Sequence, residues 1–256
     1  MITKPLILVS NDDGIEAKGV HALVERLSKF GDVVCVCPDS PQSGMSMAIT
    51  VSKPLRIHEL KPFKGARMFK TNGTPVDCVK LGVDTILNRK PDLVVSGINH
   101  GSNAAVNVVY SGTMGAAFEG CAYGVPSIGF SLTTHDPEAD MFPCYPVVDE
   151  IVKRVLGREF PEGVCLNVNI PAHTEIIKEI RVVRGCKGRW TDEYKEYLDP
   201  AGHKFYWLTG SFINEEPEND DTDEWCLKHG IASVVPVMLD RTFPLLGDFK
   251  WLDHKF

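Results

Sequence analysis

Apolar positions along this chain switch repeatedly between two patterns. Leu6–Ser10 (LILVS) is a continuous apolar run, as expected of a strand buried on both faces of a parallel sheet. From Gly19 to Phe30 the apolar residues Val20, Leu23, Val24, Leu27 and Phe30 recur at helical spacing, and Gly31 closes that helix. Val33–Cys37 is a second strand, and the stretch AITVSKPLRIHEL predicts a hairpin or short edge strands. Residues 67–88 read as strand, turn and helix, with Thr74 as N-cap, Pro75 as first helical residue and Asp77 completing a capping box. Pro91–Ser96 is another buried strand. SGTMGAAFEGCAYG is a helix with Met114, Ala117, Phe118, Cys121 and Ala122 toward the core, and Ser127–Leu132 is a further strand.

Strands alternating with helices imply a mostly parallel sheet covered on both faces, a Rossmann-like doubly wound α/β fold. Beyond residue 133 the pattern loosens. Val147–Leu156 predicts a helix, VCLNVNIP a strand, TDEWCLKHG a short capped helix ending at Gly230, and IASVVPV a last strand. Residues 179–214 predict strands split by the charged, aromatic stretch RWTDEYKEYLDPAGHKFYW. The chain reads as one domain over residues 1–256, with an α/β core at 1–172 and a β-rich C-terminal arm at 173–256.

Composition narrows the function classes. A net charge of −7 disfavours unspecific contact with a nucleic acid duplex, and no apolar run approaches the ~20 residues of a membrane helix. The first residues lead straight into a strand without a signal-peptide pattern. Of the eight cysteines, Cys35, Cys37, Cys78, Cys121 and Cys165 sit in apolar runs, and no CxxC pair occurs. Buried, reduced thiols and a cytoplasmic location are expected.

In open α/β sheets, ligands bind beyond the carboxyl ends of the strands. Four loops there are polar: SNDDG, PDSPQSGMS, SGINHGSN and YSGT. Asp12 and Asp13 offer two hard oxygen ligands suited to a divalent cation, where a helix cap would need only one. Ser43 and Asn99 stand in two of the other loops and can complete an oxygen-rich set. Ser111-Gly112-Thr113 opens a helix with no capping-box acid, which leaves first-turn N–H groups to a phosphate or, in the plainer reading, makes Ser111 a simple N-cap. His100 is the one histidine in a site loop. The acidic run EEPENDDTDE reads as a solvated loop, with Thr222 capping the next helix. GxxxxGK[ST], GxGxxG after the first strand and GxSxG are all absent, against a P-loop NTPase, a dinucleotide binder and a serine hydrolase.

The ordered motifs VSNDDGIEAKGVHAL, CPDSPQSGMSMAIT, TNGTPVDCVKLG, PDLVVSGINHGSN and YSGTMGAAFEG, over roughly residues 6 to 132, resemble the stationary-phase survival protein family, SurE. CLNVNIP and TDEWCLKHGIASVVPV echo its C-terminal part. The resemblance implies a metal-dependent nucleotidase acting on nucleoside 5′- and 3′-monophosphates, in some members also on short polyphosphate. It implies one divalent cation per subunit, Mg²⁺ or Mn²⁺, on Asp12, Asp13, Ser43 and Asn99, and Asp12 and Asp13 as catalytic groups. Substrate phosphate would meet Asn11, Gly44, Ser46, Asn103, Ser111, Gly112 and Thr113. The arm would be exchanged in a homodimer or homotetramer. Gln42 departs from the family, which commonly has arginine there, and residues 185–207 match least well. Rival expectations are an aspartyl-phosphate mechanism on Asp12, disfavoured by the lack of DxD, and a module that senses nucleotide and metal without turnover.

Overall fold

The computed structural model describes residues 4–174, 176–242 and 244. Its centre is a sheet of order β3-β4-β2-β1-β5-β6-β7-β13-β8. These strands are β1 (Leu6–Ser10), β2 (Asp32–Pro38), β3 (Ile57–Phe63), β4 (Ala66–Thr71), β5 (Leu93–His100), β6 (Ser127–Leu132), β7 (Val164–Ile170), β8 (Ile180–Val182) and β13 (Ala232–Met238). The run from β4 to β7 is parallel, whereas β3 pairs antiparallel with β4 and β13 antiparallel with β7.

Helices cover both faces because strand side chains alternate. Ile7 and Val9 of β1 pack with Val20, Leu23 and Leu27 of α1 (Lys18–Leu27) and with Val148 and Val152 of α4 (Cys144–Val155). Leu6 and Leu8 point the other way, toward Cys78 and Val79 of α2 (Pro75–Leu81) and Ala116 of α3 (Gly112–Ala122). Fully burying a leucine such as Leu23 contributes about 1.5–3 kcal/mol, so this two-sided packing carries the fold.

Two helix expectations shift. α1 ends at Leu27, with Ser28–Phe30 in a closing turn. Ala122 is exposed rather than core-facing, because α3 is buried on every side from Gly112 to Cys121 and emerges only at its last residue. The capping box at Thr74 and Asp77 is present, and it does more than start α2. Asp77 also accepts from Thr50 N–H, and the Thr74 hydroxyl donates to Ala48 O at 2.6 Å, anchoring the long loop that follows β2.

The arm leaves the core after β7. β9 (Gly188–Thr191) pairs with β12 (Ser211–Asn214), and β10 (Tyr194–Leu198) pairs with β11 (Lys204–Leu208) as a separate hairpin. α5 (Asp223–Lys228) then leads into β13, with Thr222 accepting from Trp225 N–H as its N-cap. The last part of the expected arm, 245–256, lies outside the described residues. All eight cysteines are free and buried. Among the described residues no helix is long and apolar enough to cross a membrane.

Candidate active site

The chain visits β1, β2 and β4 on one side of the sheet, then returns to place β5 on the other side of β1. This reversal is the switch point at which α/β sheets open a crevice. Asp12 and Asp13 follow β1 after a single residue, Asn11, and Asn99 sits at the end of β5. Gly14 turns the first loop at φ +94°, and Gln42 N–H donates to Asp12 O at 2.7 Å, bringing the second loop and Ser43 alongside.

Asp12 is buried against the start of α3. Its Oδ1 accepts from the Thr113 hydroxyl, and Gly112 leaves room for its side chain. Burial pushes the Asp12 carboxyl up to about 6, with the neighbouring Asp13 charge adding to it, while the Thr113 hydrogen bond works in the opposite direction. Asp13 is held by His100, whose backbone N–H and ring Nδ1 both lie 3.1 Å from Oδ2. Asn99 Nδ2 donates to Gly101 O at 2.8 Å, which turns its Oδ1 away as a free acceptor. Asp12, Asn99 and Ser43 bring a carboxylate, an amide and a hydroxyl to one cavity, with Asp13 next to Asp12 in the chain, and hard oxygen donors of this kind fit a divalent cation. Among the described residues no three His, Cys, Asp or Glu side chains gather in one place, so a cation here would depend on the amide and hydroxyl oxygens beside the two carboxylates.

Asp12, Ser43, Gly44, Asn99, Asn103 and Ser111 line one cavity of about 440 Å³. Ser111 caps α3 by accepting from Met114 N–H at 3.0 Å, as its plainer reading holds, and still faces the cavity. Asn103 is locked from behind: its backbone N–H donates to Asn169, its Nδ2 to the Ser131 hydroxyl, and its carbonyl accepts from Asn167. Other expected phosphate contacts are engaged elsewhere. Asn11 Nδ2 donates to Gly14 O, the Ser46 hydroxyl donates to Val109 O, and the Thr113 hydroxyl serves Asp12. Gly112 lies behind Asp12.

The sequence reading missed the cavity's other wall. Trp190, Phe212 and Glu224 reach it from β9, β12 and α5, and Tyr110 comes from the loop before α3. The only available signal was the concentration of aromatics in residues 189–212. The acidic run is solvated over Glu215 and residues 217–221, and Thr222 caps α5 as expected, but three of its carboxylates depart from this: Glu216 pairs with Arg184, Asp223 is buried, and Glu224 lines the cavity.

The model of the family described as survival protein SurE matches residues 7–192. The chain belongs to the SurE family. It is 46% identical to the 5′-nucleotidase SurE of Phocaeicola vulgatus over 96% of both chains. With the 5′-nucleotidase SurE of Christiangramia forsetii the identity is 50% over 93% of both. The crystal structure of the SurE protein from Aquifex aeolicus superposes with a TM-score of 0.84 at 38% identity, covering 97% of this chain and 99% of that one. The mostly parallel sheet with added C-terminal β-structure is therefore a SurE fold.

Proposed function

We propose that this chain is a 5′-nucleotidase that hydrolyses nucleoside monophosphates, at the 5′ and also the 3′ position, to nucleoside and inorganic phosphate. What carries the reading is the carboxylate pair at the switch point, Asp12 against the first turn of α3 and Asp13 beside it on His100, in a chain whose SurE relatives are named 5′-nucleotidases. Asp12, Asp13, Ser43 and Asn99 would hold one divalent cation, Mg²⁺ or Mn²⁺. Such an ion, when bound, neutralises phosphoryl oxygens and lowers the pKa of water.

The chain's own residues supply orientation. Thr113 fixes Asp12 and His100 fixes Asp13, so both carboxylates keep one direction. Gly44, Ser111 and Asn103 stand where phosphate oxygens would be received, and the α3 N-terminus favours the charge that spreads over them. Ser43 acts as a ligand rather than a nucleophile, since its own loop holds no histidine to activate it. Self-association through the arm, as a homodimer or homotetramer, and a cytoplasmic location belong to the same reading.

The test is phosphate release from a panel of 5′- and 3′-nucleotides with Mg²⁺ or Mn²⁺, with EDTA, and with Asp12→Asn. Release that requires the metal and is lost in the variant supports the reading. No release from any nucleotide by folded, metal-loaded protein overturns it.

A further inference from the structure

Glu224, Phe212 and Ser102 line the catalytic cavity and also a second cavity of about 450 Å³, so they form the partition between the two. Asp12, Ser43, Asn99 and Ser111 line only the first. Glu224 therefore stands where the two cavities meet, whereas Asp12 faces the first alone. Beside it, Trp190 and Phe212 meet edge to face with centroids 5.9 Å apart, and Trp190 Nε1 donates to Asn107 Oδ1 at 2.8 Å. That bond fixes the indole and leaves an apolar, aromatic surface of the kind on which a base stacks.

The Glu224 carboxylate has no hydrogen-bond or ion-pair partner among the described residues, although the residue is largely buried. Burial and the neighbouring Asp223 raise its carboxyl above the ordinary range, as befits an acceptor left unmatched. A carboxylate there would repel a phosphate dianion, so the parts of a nucleotide it can receive are its uncharged donors. A nucleotide carries such donors at its far end, as ribose hydroxyls and exocyclic amines.

We propose that Glu224 is a specificity-determining residue for the nucleoside end of the substrate, accepting a hydrogen bond from a ribose hydroxyl or an exocyclic amine of a base held against Trp190 and Phe212. This rests on the nucleotidase reading above. It adds a contact that selects nucleotides over other phosphate monoesters.

The test compares full-length wild type, Glu224→Ala and the isosteric Glu224→Gln, all loaded with Mn²⁺, on AMP, 2′-deoxy-AMP, IMP and phenyl phosphate. Removing one charged acceptor should raise KM for AMP about tenfold with kcat little changed. Phenyl phosphate, which has neither ribose nor base amine, should be hydrolysed as by wild type. If the wild-type preference for AMP over 2′-deoxy-AMP vanishes in the variant, the donor is the 2′-hydroxyl. If the preference over IMP vanishes, the donor is the amine. Equal losses on AMP and phenyl phosphate, or unchanged KM for AMP in both variants, overturn the proposal while leaving the nucleotidase reading intact. Failure of wild type to hydrolyse AMP while hydrolysing phenyl phosphate overturns both.

Discussion

Asp12 lies against the bare Cα of Gly112. A Cβ built on Gly112 would sit 2.8 Å from Asp12 Cβ and 3.0 Å from its Oδ2. Contacts that short force the carboxylate away from the start of α3. Gly112→Ala should therefore cut Mn²⁺ affinity and kcat/KM together, by about tenfold or more, since small misplacement of a catalytic group is costly. Isothermal titration calorimetry and phosphate release would measure both. Wild-type values in the variant would mean that Asp12 can shift without consequence.

His100 gives a second, independent handle on the same pair. Its ring Nδ1 and backbone N–H both reach Asp13 Oδ2, and the substitution His100→Ala removes the first while keeping the second. Loss of such an orienting partner typically costs about 10–100-fold in metal affinity. Mn²⁺ titration of His100→Ala should fall at the low end of that span, because the backbone bond survives. An unchanged titration would show that the backbone N–H alone orients Asp13.

How far the sequence reveals this site depends on how far apart its parts lie in the chain. Asp12 and Asp13 are adjacent, and the strand before them is a plain apolar run, so a carboxylate pair at a strand end is legible. Asn99 and Ser111 follow from the same rule about strand ends. Trp190, Phe212 and Glu224 do not. The strands of Trp190 and Phe212 pair only with each other, Glu224 sits on the short helix α5, and their approach to the cavity depends on how the arm returns over the core. Asp223 shows the same limit in a single residue. It sits in a run whose composition reads as solvated, yet it is buried by a partner 118 positions away.

That partner makes Asp223 a structural clamp. Its carboxylate accepts from Ala105 N–H at 2.7 Å and Cys186 N–H at 2.9 Å, tying the loop before α3 to the root of the arm. Asp223→Ala leaves these buried donors unsatisfied, at about 1–3 kcal/mol each. Urea unfolding should show a loss of about 2–6 kcal/mol, and Asp223→Asn, which keeps an acceptor oxygen, should recover part of it. Wild-type stability for the alanine variant would mean that water or the chain satisfies both donors.

The arm root also carries an acid-sensitive pair. The Arg184 guanidinium bonds Glu216 in two places, and this hydrogen bonding holds the Glu216 carboxyl down at about 2 from an ordinary 4.5. A folded-state value below the unfolded one means the pair favours folding above about 4.5 and loses that contribution as pH falls toward 2. The pair is open to solvent, so the effect is small. Comparing thermal midpoints of wild type and Glu216→Gln at pH 7 and pH 3 should show a gap that narrows in acid. A constant gap would mean that the Glu216 charge is not what separates the two proteins.

The β10–β11 hairpin bears on self-association. It stands apart from the main sheet, and Tyr194, Leu198, Trp207 and Leu208 are each more than 60% exposed. An isolated two-stranded hairpin is at best marginal in water, and so much unpaired aromatic surface calls for a covering partner. The arm exchange expected of a SurE chain supplies one, a second copy of the chain. Replacing residues 194–208 with a short Gly-Ser linker should convert the assembly to a species near the mass of one chain, measured by light scattering during gel filtration. The core sheet should be unaffected, because both hairpin strands pair only with each other. An unchanged oligomer after the replacement would move the interface off the hairpin, and a single-chain mass for wild type would remove the exchange altogether.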